Sequence, residues 1–236
     1  MARTNYACCL GDSFSKAETG KVDPQLRKSN PDDAIWSNAG QRGAFVAHQK
    51  LAFRDILDGL SNTVLAAEIN TDLGDGDITT GASVYKAVKA TPSICNEDVD
   101  TERPRFWKPG ITTIASLHGP LHGRGFRWIS GETGHTAFFT ILPPNGTMCY
   151  QGEWPGQEGI APPSSRHPGG VHVLMGDGAI TFIADQIDAG DLSTHMVGME
   201  DEARAAGNPP GSKSPYGVWG AMGTRASKEV IGDRAL

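Results

Sequence analysis

The chain has 236 residues, with 27 acidic against 21 basic side chains, a formal net charge of −6 and an aromatic share of 7%. That length builds one large domain or two small ones and buries roughly 70–75% of the unfolded surface without covalent staples. The acidic balance argues against a nucleic-acid partner, which needs basic patches to displace phosphate counterions. No apolar run reaches the ~18 residues of a membrane span.

The first segment, "MARTNYACCLGDSF", has no apolar core of a signal peptide. It holds Cys8 and Cys9; the other two cysteines are Cys95 and Cys149. Adjacent cysteines sit too close for ordinary disulfide geometry. Cys95 and Cys149 are therefore the better disulfide candidates, with buried free thiols as the competing reading. No CxxC pair is present, which argues against a zinc ribbon. With 30 Gly and 15 Pro, the chain reads as short strands between many turns, with no internal repeat.

Gly43 to Phe53 fits a strand pair, and Phe53 to Leu57 is a short helical window. "DGLSNT" (Asp58 to Thr63) contains Ser61 but lacks the G-x-S-x-G elbow and an adjacent histidine. Its residues read as turn formers that hydrogen-bond neighbouring backbone and start a strand at Asn62. That strand, Asn62 to Ile69, places Val64, Ala66 and Glu68 on one face and Leu65, Ala67 and Ile69 on the other. Its apolar content predicts a central strand.

An acidic glycine-rich loop follows, Asn70 to Gly81. Asp72, Asp75 and Asp77 are calcium candidates there, although Gly76 interrupts the acids and no Glu closes an EF-hand loop. The segment from Gly81 to Ala90 fits helix and strand equally. His118 and His122 have the i, i+4 spacing of a zinc helix, but the Gly and Pro residues of "HGPLHGRG" break it, and both read as exposed loop histidines. Gly125 to Tyr150 predicts two strands joined at Gly131 to Gly134, then a Pro-Pro-Asn-Gly bend. Gln151 to Ser165 and Gly207 to Ser214 read as surface loops. Asp201 to Ala206 is a second short helical window.

The stretch "RHPGGVHVLMGDGAITFIADQID" (Arg166 to Asp188) reads as a hairpin turning at Asp177-Gly178. A two-residue loop sets Met175 opposite Ile180, Leu174 opposite Thr181, Val173 opposite Phe182 and His172 opposite Ile183. Val171, Val173, Met175, Ile180, Phe182 and Ala184 then share the core face, and a one-residue slip would mix the two sets. His167 and Asp177 lie roughly 20 Å apart along the strand, too far to share a metal ion whose ligands each sit about 2 Å from it. Asp177 has a turn role. His167 is expected beside Asp185 or Asp188.

Six fragments in this order carry a resemblance: Thr4 to Asp12, Phe53 to Glu68, Arg124 to Gly131, Phe138 to Cys149, Arg166 to Ile183 and Tyr216 to Ile231. Together they resemble a bacterial family of unknown function, abundant in planctomycetes, with a C-terminal H-x9-D-G motif and also labelled a bacterial solute-binding-type domain. The resemblance implies a secreted or cell-surface protein whose relatives begin with a prepilin-like or type II secretion pseudopilin-like apolar helix. It implies a β-rich globular domain, and this chain is expected to carry that domain without the helix. The motif residues Asp58, Gly59, Ser61, Asn62, His167, Gly169, Gly170, Asp177 and Gly178 are read as structural.

The resulting expectation is a single α+β, mainly β domain over 1–236, with antiparallel sheets and short helices. It is expected to be non-enzymatic and to need no cofactor. Its partners would be other proteins or copies of itself, with an exposed apolar groove where the helix packs. A glycan- or solute-binding module is the alternative, with Trp36, Trp107, Trp128, Trp154 and Trp219 as candidate stacking platforms. A metal-dependent hydrolase is a further alternative; it requires three converging ligands.

Overall fold

A computed structural model describes residues 2–23, 28–89 and 91–229; the last two residues of the Tyr216 to Ile231 fragment lie outside them. Among the described residues the strands are β1 (Tyr6–Cys9), β2 (Val22–Asp23), β3 (Lys28–Ser29), β4 (Val64–Glu68), β5 (Ala137–Phe138), β6 (Cys149–Tyr150), β7 (Gly159–Ile160), β8 (Gly170–Met175) and β9 (Ile180–Ala184). Five form one sheet in the order β5-β1-β4-β8-β9. The helices are short: α1 (Pro31–Gly40), α2 (Ile114–His118), α3 (Thr133–Thr136), α4 (Asp201–Ala205) and α5 (Gly217–Gly223). The class is α+β. The sheet is mixed rather than purely antiparallel, because β5 runs parallel to β1. β5 can run parallel to β1 because β4, antiparallel to β1, carries the chain back between them.

β4 is the central strand the sequence predicts, but its alternation breaks. Its pairing with β8 shifts register between Val64 and Ala66, a β-bulge that lets two residues oppose one. Val64 and Ala67 are therefore both buried, while Leu65 and Ala66 are half-buried.

The hairpin forms, with a corrected register. Leu174 pairs with Ile180, Val173 with Thr181, His172 with Phe182 and Val171 with Ile183. The loop has three residues, Gly176 to Gly178. The Gly178 amide donates to the Met175 carbonyl at 3.0 Å, and the Met175 amide to the Ala179 carbonyl at 2.9 Å. Gly178 takes φ +91°, the left-handed position that a three-residue loop with a glycine bulge demands. Ile183 moves into the core with Val171, Val173 and Met175. Ile180 and Phe182 turn outward, 65% and 46% exposed.

The inner sheet face packs on Trp219 and Met222 of α5, with the indole Nε1 donating to the Leu142 carbonyl at 2.9 Å. A second core gathers Phe14, Phe139, Ile141 and Tyr216 around Cys95 and Cys149. Those two cysteines are bonded, with Cα atoms 5.6 Å apart; Cys8 and Cys9 are free.

Three other expectations change. Gly43 to Phe53 forms no strand pair: the Gly43 and Phe45 amides donate to the Leu10 and Cys9 carbonyls at 3.2 and 3.3 Å, and Arg225 donates to the carbonyls of Gln41 and Gly43 at 2.7 Å each. Gly125 to Gly131 is irregular, and only β5 and β6 are extended in the segment read as two strands. Gly159 to Ser165 is buried rather than a surface loop. The Phe139 amide donates to the Ala161 carbonyl there, and the buried guanidinium of Arg124 donates to the carbonyls of Gly134, Ala137 and Pro162 at 3.3, 2.9 and 3.4 Å.

Candidate functional site

β4 and β8 run antiparallel, so the two most distinctive fragments meet twice, once at each end. At one end "DGLSNT" docks on the hairpin loop. The Gly176 amide donates to the Thr63 carbonyl at 2.8 Å and the Asp177 amide to the Leu60 carbonyl at 3.2 Å. Asn62 Nδ2 donates to the Asp58 carbonyl. The Asp58 carboxylate accepts from Thr224 Oγ1 and from the amides of Ser227 and Lys228. Ser61 is exposed. These contacts hold backbone, and Asp177 likewise accepts from the Ala179 amide at 2.9 Å.

At the other end the chemistry differs. Glu68 Oε1 lies 3.2 Å from His167 Nε2, and Glu68 Oε2 lies 3.4 Å from His172 Nδ1. The His172 amide also donates to Glu68 Oε2 at 2.8 Å. Among the described residues, this is the group of three whose ligand atoms all fall within 4.8 Å of one another. The glycine break positions His167: its amide donates to Ser165 Oγ at 3.0 Å, and that hydroxyl donates to the Gly170 carbonyl at 2.7 Å. At Gly170 a side chain would collide with the Ile183 carbonyl, so only glycine lets the strand begin here. His167 therefore meets Glu68 rather than the expected Asp185 or Asp188. Asp185 is taken by Asn145 Nδ2 at 2.7 Å, and Asp188 by the amides of Gly190 and Val218.

The three residues sit on the outer sheet face. Cross-strand pairing lines up Tyr6 with Glu68 and His172 with Phe182, and the imidazole of His172 meets the Phe182 ring edge-on at 5.2 Å. The next row, Cys8, Ala66, Leu174 and Ile180, is apolar. A cleft of about 300 Å³ opens beside Glu68 and His167 and is also lined by Tyr6, Asn70 and Arg166. A separate hollow of about 310 Å³, lined by Phe45, Leu51, Phe53, Ile56 and Leu65, is almost wholly apolar.

The acidic loop does not converge. Asp72 accepts from the Gly74 amide and Thr80 Oγ1, Asp75 from the Asp77 amide, and Asp77 from Thr79 and Arg105. Its carboxylates are occupied by their own loop and one guanidinium.

The expected exposure of His118 and His122 is not found. His118 and His122 are half-buried, and His135 is fully buried beside them. Ring centroids are 5.5 Å apart for His118 and His122 and 6.5 Å for His122 and His135, and Trp154 stacks on His118 at 3.9 Å. Arg127 lies 2.6 Å from His122 Nε2. Burial, with Arg127 and Arg124 nearby, pushes the His135 imidazole down to about 4, and burial with Arg127 also lowers His122.

Sequence reasoning missed Glu68 as a site residue. The signal was present: a carboxylate two residues after Ala66, at the end of an otherwise apolar strand.

Among curated proteins and among solved structures no match is found. The family model described as "Protein of unknown function (DUF1559)", with the short label SBP_bac_10, matches residues 4–190. The matched span holds both ends of the β4–β8 pair, and the chain belongs to this family.

Proposed function

We propose that the protein is a non-enzymatic surface or secreted interaction module that docks an apolar helix of the prepilin type on its outer sheet face. The observation that carries this reading is the apolar surface made by the exposed Ile180 and Phe182 with the half-buried Leu174, together with the Phe45–Phe53–Leu65 hollow. A soluble domain gains by burying such a surface, at roughly 25 cal/mol per Å² removed from water. β9 is also a sheet edge, and unpaired edges are normally covered or charged.

The test is a titration with a synthetic apolar helix of the pseudopilin type in mild detergent, followed by amide hydrogen exchange. Exchange should slow in Ile180–Ala184 and around Phe53, and Ile180→Lys combined with Phe182→Glu should abolish the slowing. Unchanged exchange in those segments overturns the reading.

A solute- or glycan-binding role is the second reading, favoured by the exposed Trp154 and the neighbouring cleft of about 410 Å³ lined by Lys16, Glu18, Gln151, Gln157 and Glu158. Aromatic faces beside polar side chains suit sugar stacking. A glycan array with and without calcium tests it: saturable binding lost in Trp154→Ala supports this role, and an array without signal removes it.

A further inference from the structure

We propose that Glu68, His167 and His172 bind one divalent transition-metal ion of the zinc type, with an open coordination position facing the adjoining cleft. The donor set is two imidazoles and one carboxylate, a combination that holds zinc and leaves a fourth position free.

Spacing is the first support. Ligand atoms held ~2.0–2.1 Å from a tetrahedral zinc ion lie about 3.3 Å from each other. His167 lies 3.2 Å from one oxygen of Glu68 and His172 3.4 Å from the other, so each imidazole meets the carboxylate at that edge length, and one donor atom from each of the three residues lies within 4.8 Å of the other two. The side chains of His167 and His172 are 52% and 42% exposed. Their rings therefore have room for the small rotations that bring the donors onto one centre.

Support from the surroundings is the second. Outer hydrogen bonds orient the ligands of a working metal site. Here the His172 amide fixes one oxygen of Glu68 at 2.8 Å, and Ser165 fixes the backbone at His167. Phe182 lies against the His172 ring and screens that side from water. The glycine break after His167 and the antiparallel pairing of β4 with β8 are both needed to bring the three residues together, so the juxtaposition belongs to the fold's framework.

Charge and donor type set the selectivity. Calcium and magnesium take six or more oxygen ligands or keep several waters, and this group supplies a single carboxylate. Imidazole nitrogen favours zinc, copper and nickel. The positive neighbour is Arg166, a cleft-lining residue; it works against the cation and toward an anionic ligand at the open position.

The experiment is isothermal titration of the metal-free chain with zinc, repeated with cobalt(II) to read coordination from its visible absorption. Removing a direct ligand should cost at least the ~10–100-fold that changing an outer partner costs. The expected result is one ion per chain, a tetrahedral cobalt spectrum, and affinity reduced by at least ~10-fold in Glu68→Gln, His167→Ala and His172→Ala. His118→Ala, in the other histidine group, should leave the stoichiometry at one. Circular dichroism of each variant separates lost ligands from lost fold, and Glu68→Asp, which keeps the charge, should bind more tightly than Glu68→Gln. No saturable binding to the wild-type chain, or full binding in the Glu68→Gln and His167→Ala double variant, overturns the proposal. Neither outcome bears on helix docking, which is read by hydrogen exchange.

Discussion

The two histidine groups use the same side chains in opposite surroundings. Glu68 stands between His167 and His172 on an exposed sheet face. His135 is buried and His118 and His122 are half-buried, beside Arg127 and near Arg124, with Glu132 Oε2 3.4 Å from His135 Nε2. A carboxylate set between two exposed imidazoles suits a cation; burial, with two guanidiniums nearby, favours the neutral His135 ring even with Glu132 in reach. Density of histidines is thus a poor guide to chemistry; burial and the balance of neighbouring charges are better ones. The interior group reads as packing, with Trp154 stacked on it; the exterior group reads as a site.

The strongest way to break this contrast is to remove one of the charges that contribute to it. Arg124→Met takes away a buried guanidinium and leaves the carbonyls of Gly134, Ala137 and Pro162 without their donor. Buried unsatisfied acceptors cost about 1–3 kcal/mol each, so chemical denaturation should show a loss of ~3–5 kcal/mol, part of the gap being filled by relaxation. If the variant folds, His135 should titrate higher than in the parent, because Arg124 is one of the charges holding it down. A loss below ~1 kcal/mol, the size of a surface effect, would show that Arg124 does not hold these segments together.

A smaller effect sharpens the same point by pH. His135 titrates at about 4 in the folded chain, against an ordinary value of ~6.5. Between those values the unfolded chain binds the proton and the folded chain does not, so stability is lost as pH falls from ~6.5 toward 4 and is fully present above ~6.5. The contribution is on the order of 3 kcal/mol. His135→Gln should flatten the midpoint-versus-pH curve across that window. A curve of unchanged slope would mean that another group carries the acid sensitivity.

Much of the framework could be read from local pattern. A glycine-flanked Asp-Gly between two apolar runs announces a hairpin, and the apolar run Val64 to Ala67 announces a buried strand. What local pattern lacks is the choice between a two- and a three-residue loop. Asp-Gly serves both, since each needs a glycine at positive φ, and the one-residue difference sent Ile180 and Phe182 outward and brought Ile183 in. The apolar character of both sides of β9 hid the slip, because alternation distinguishes faces only when one is polar. The metal-capable group was hidden for another reason. Glu68 and His167 are brought together by sheet order, with β4 beside β8, and periodicity carries no information about which strands are neighbours. Arg124 was invisible likewise: its three acceptors come from segments up to 38 residues away, and nothing in "RGFRW" marks the first arginine as the buried one.

The smallest expected effect is the most discriminating. His167→Ala in metal-free buffer removes a half-exposed imidazole whose partner carboxylate remains held by the His172 amide at 2.8 Å. Exposed ion pairs contribute ~0–1 kcal/mol, so the thermal midpoint should shift little. If the exterior histidines instead served packing, as the interior ones do, the substitution would cost the ~2–5 kcal/mol typical of emptied core positions. Differential scanning calorimetry with and without a chelator separates the two. A small chelator-insensitive shift in the variant, beside a midpoint in the parent that rises with added zinc, follows from a group placed for a ligand rather than for stability. The rise has the logarithmic dependence on free metal expected for an ion that binds only the folded chain. A variant as damaged as a core deletion would put both histidine groups in one class, and the carboxylate between His167 and His172 would then be part of the packing.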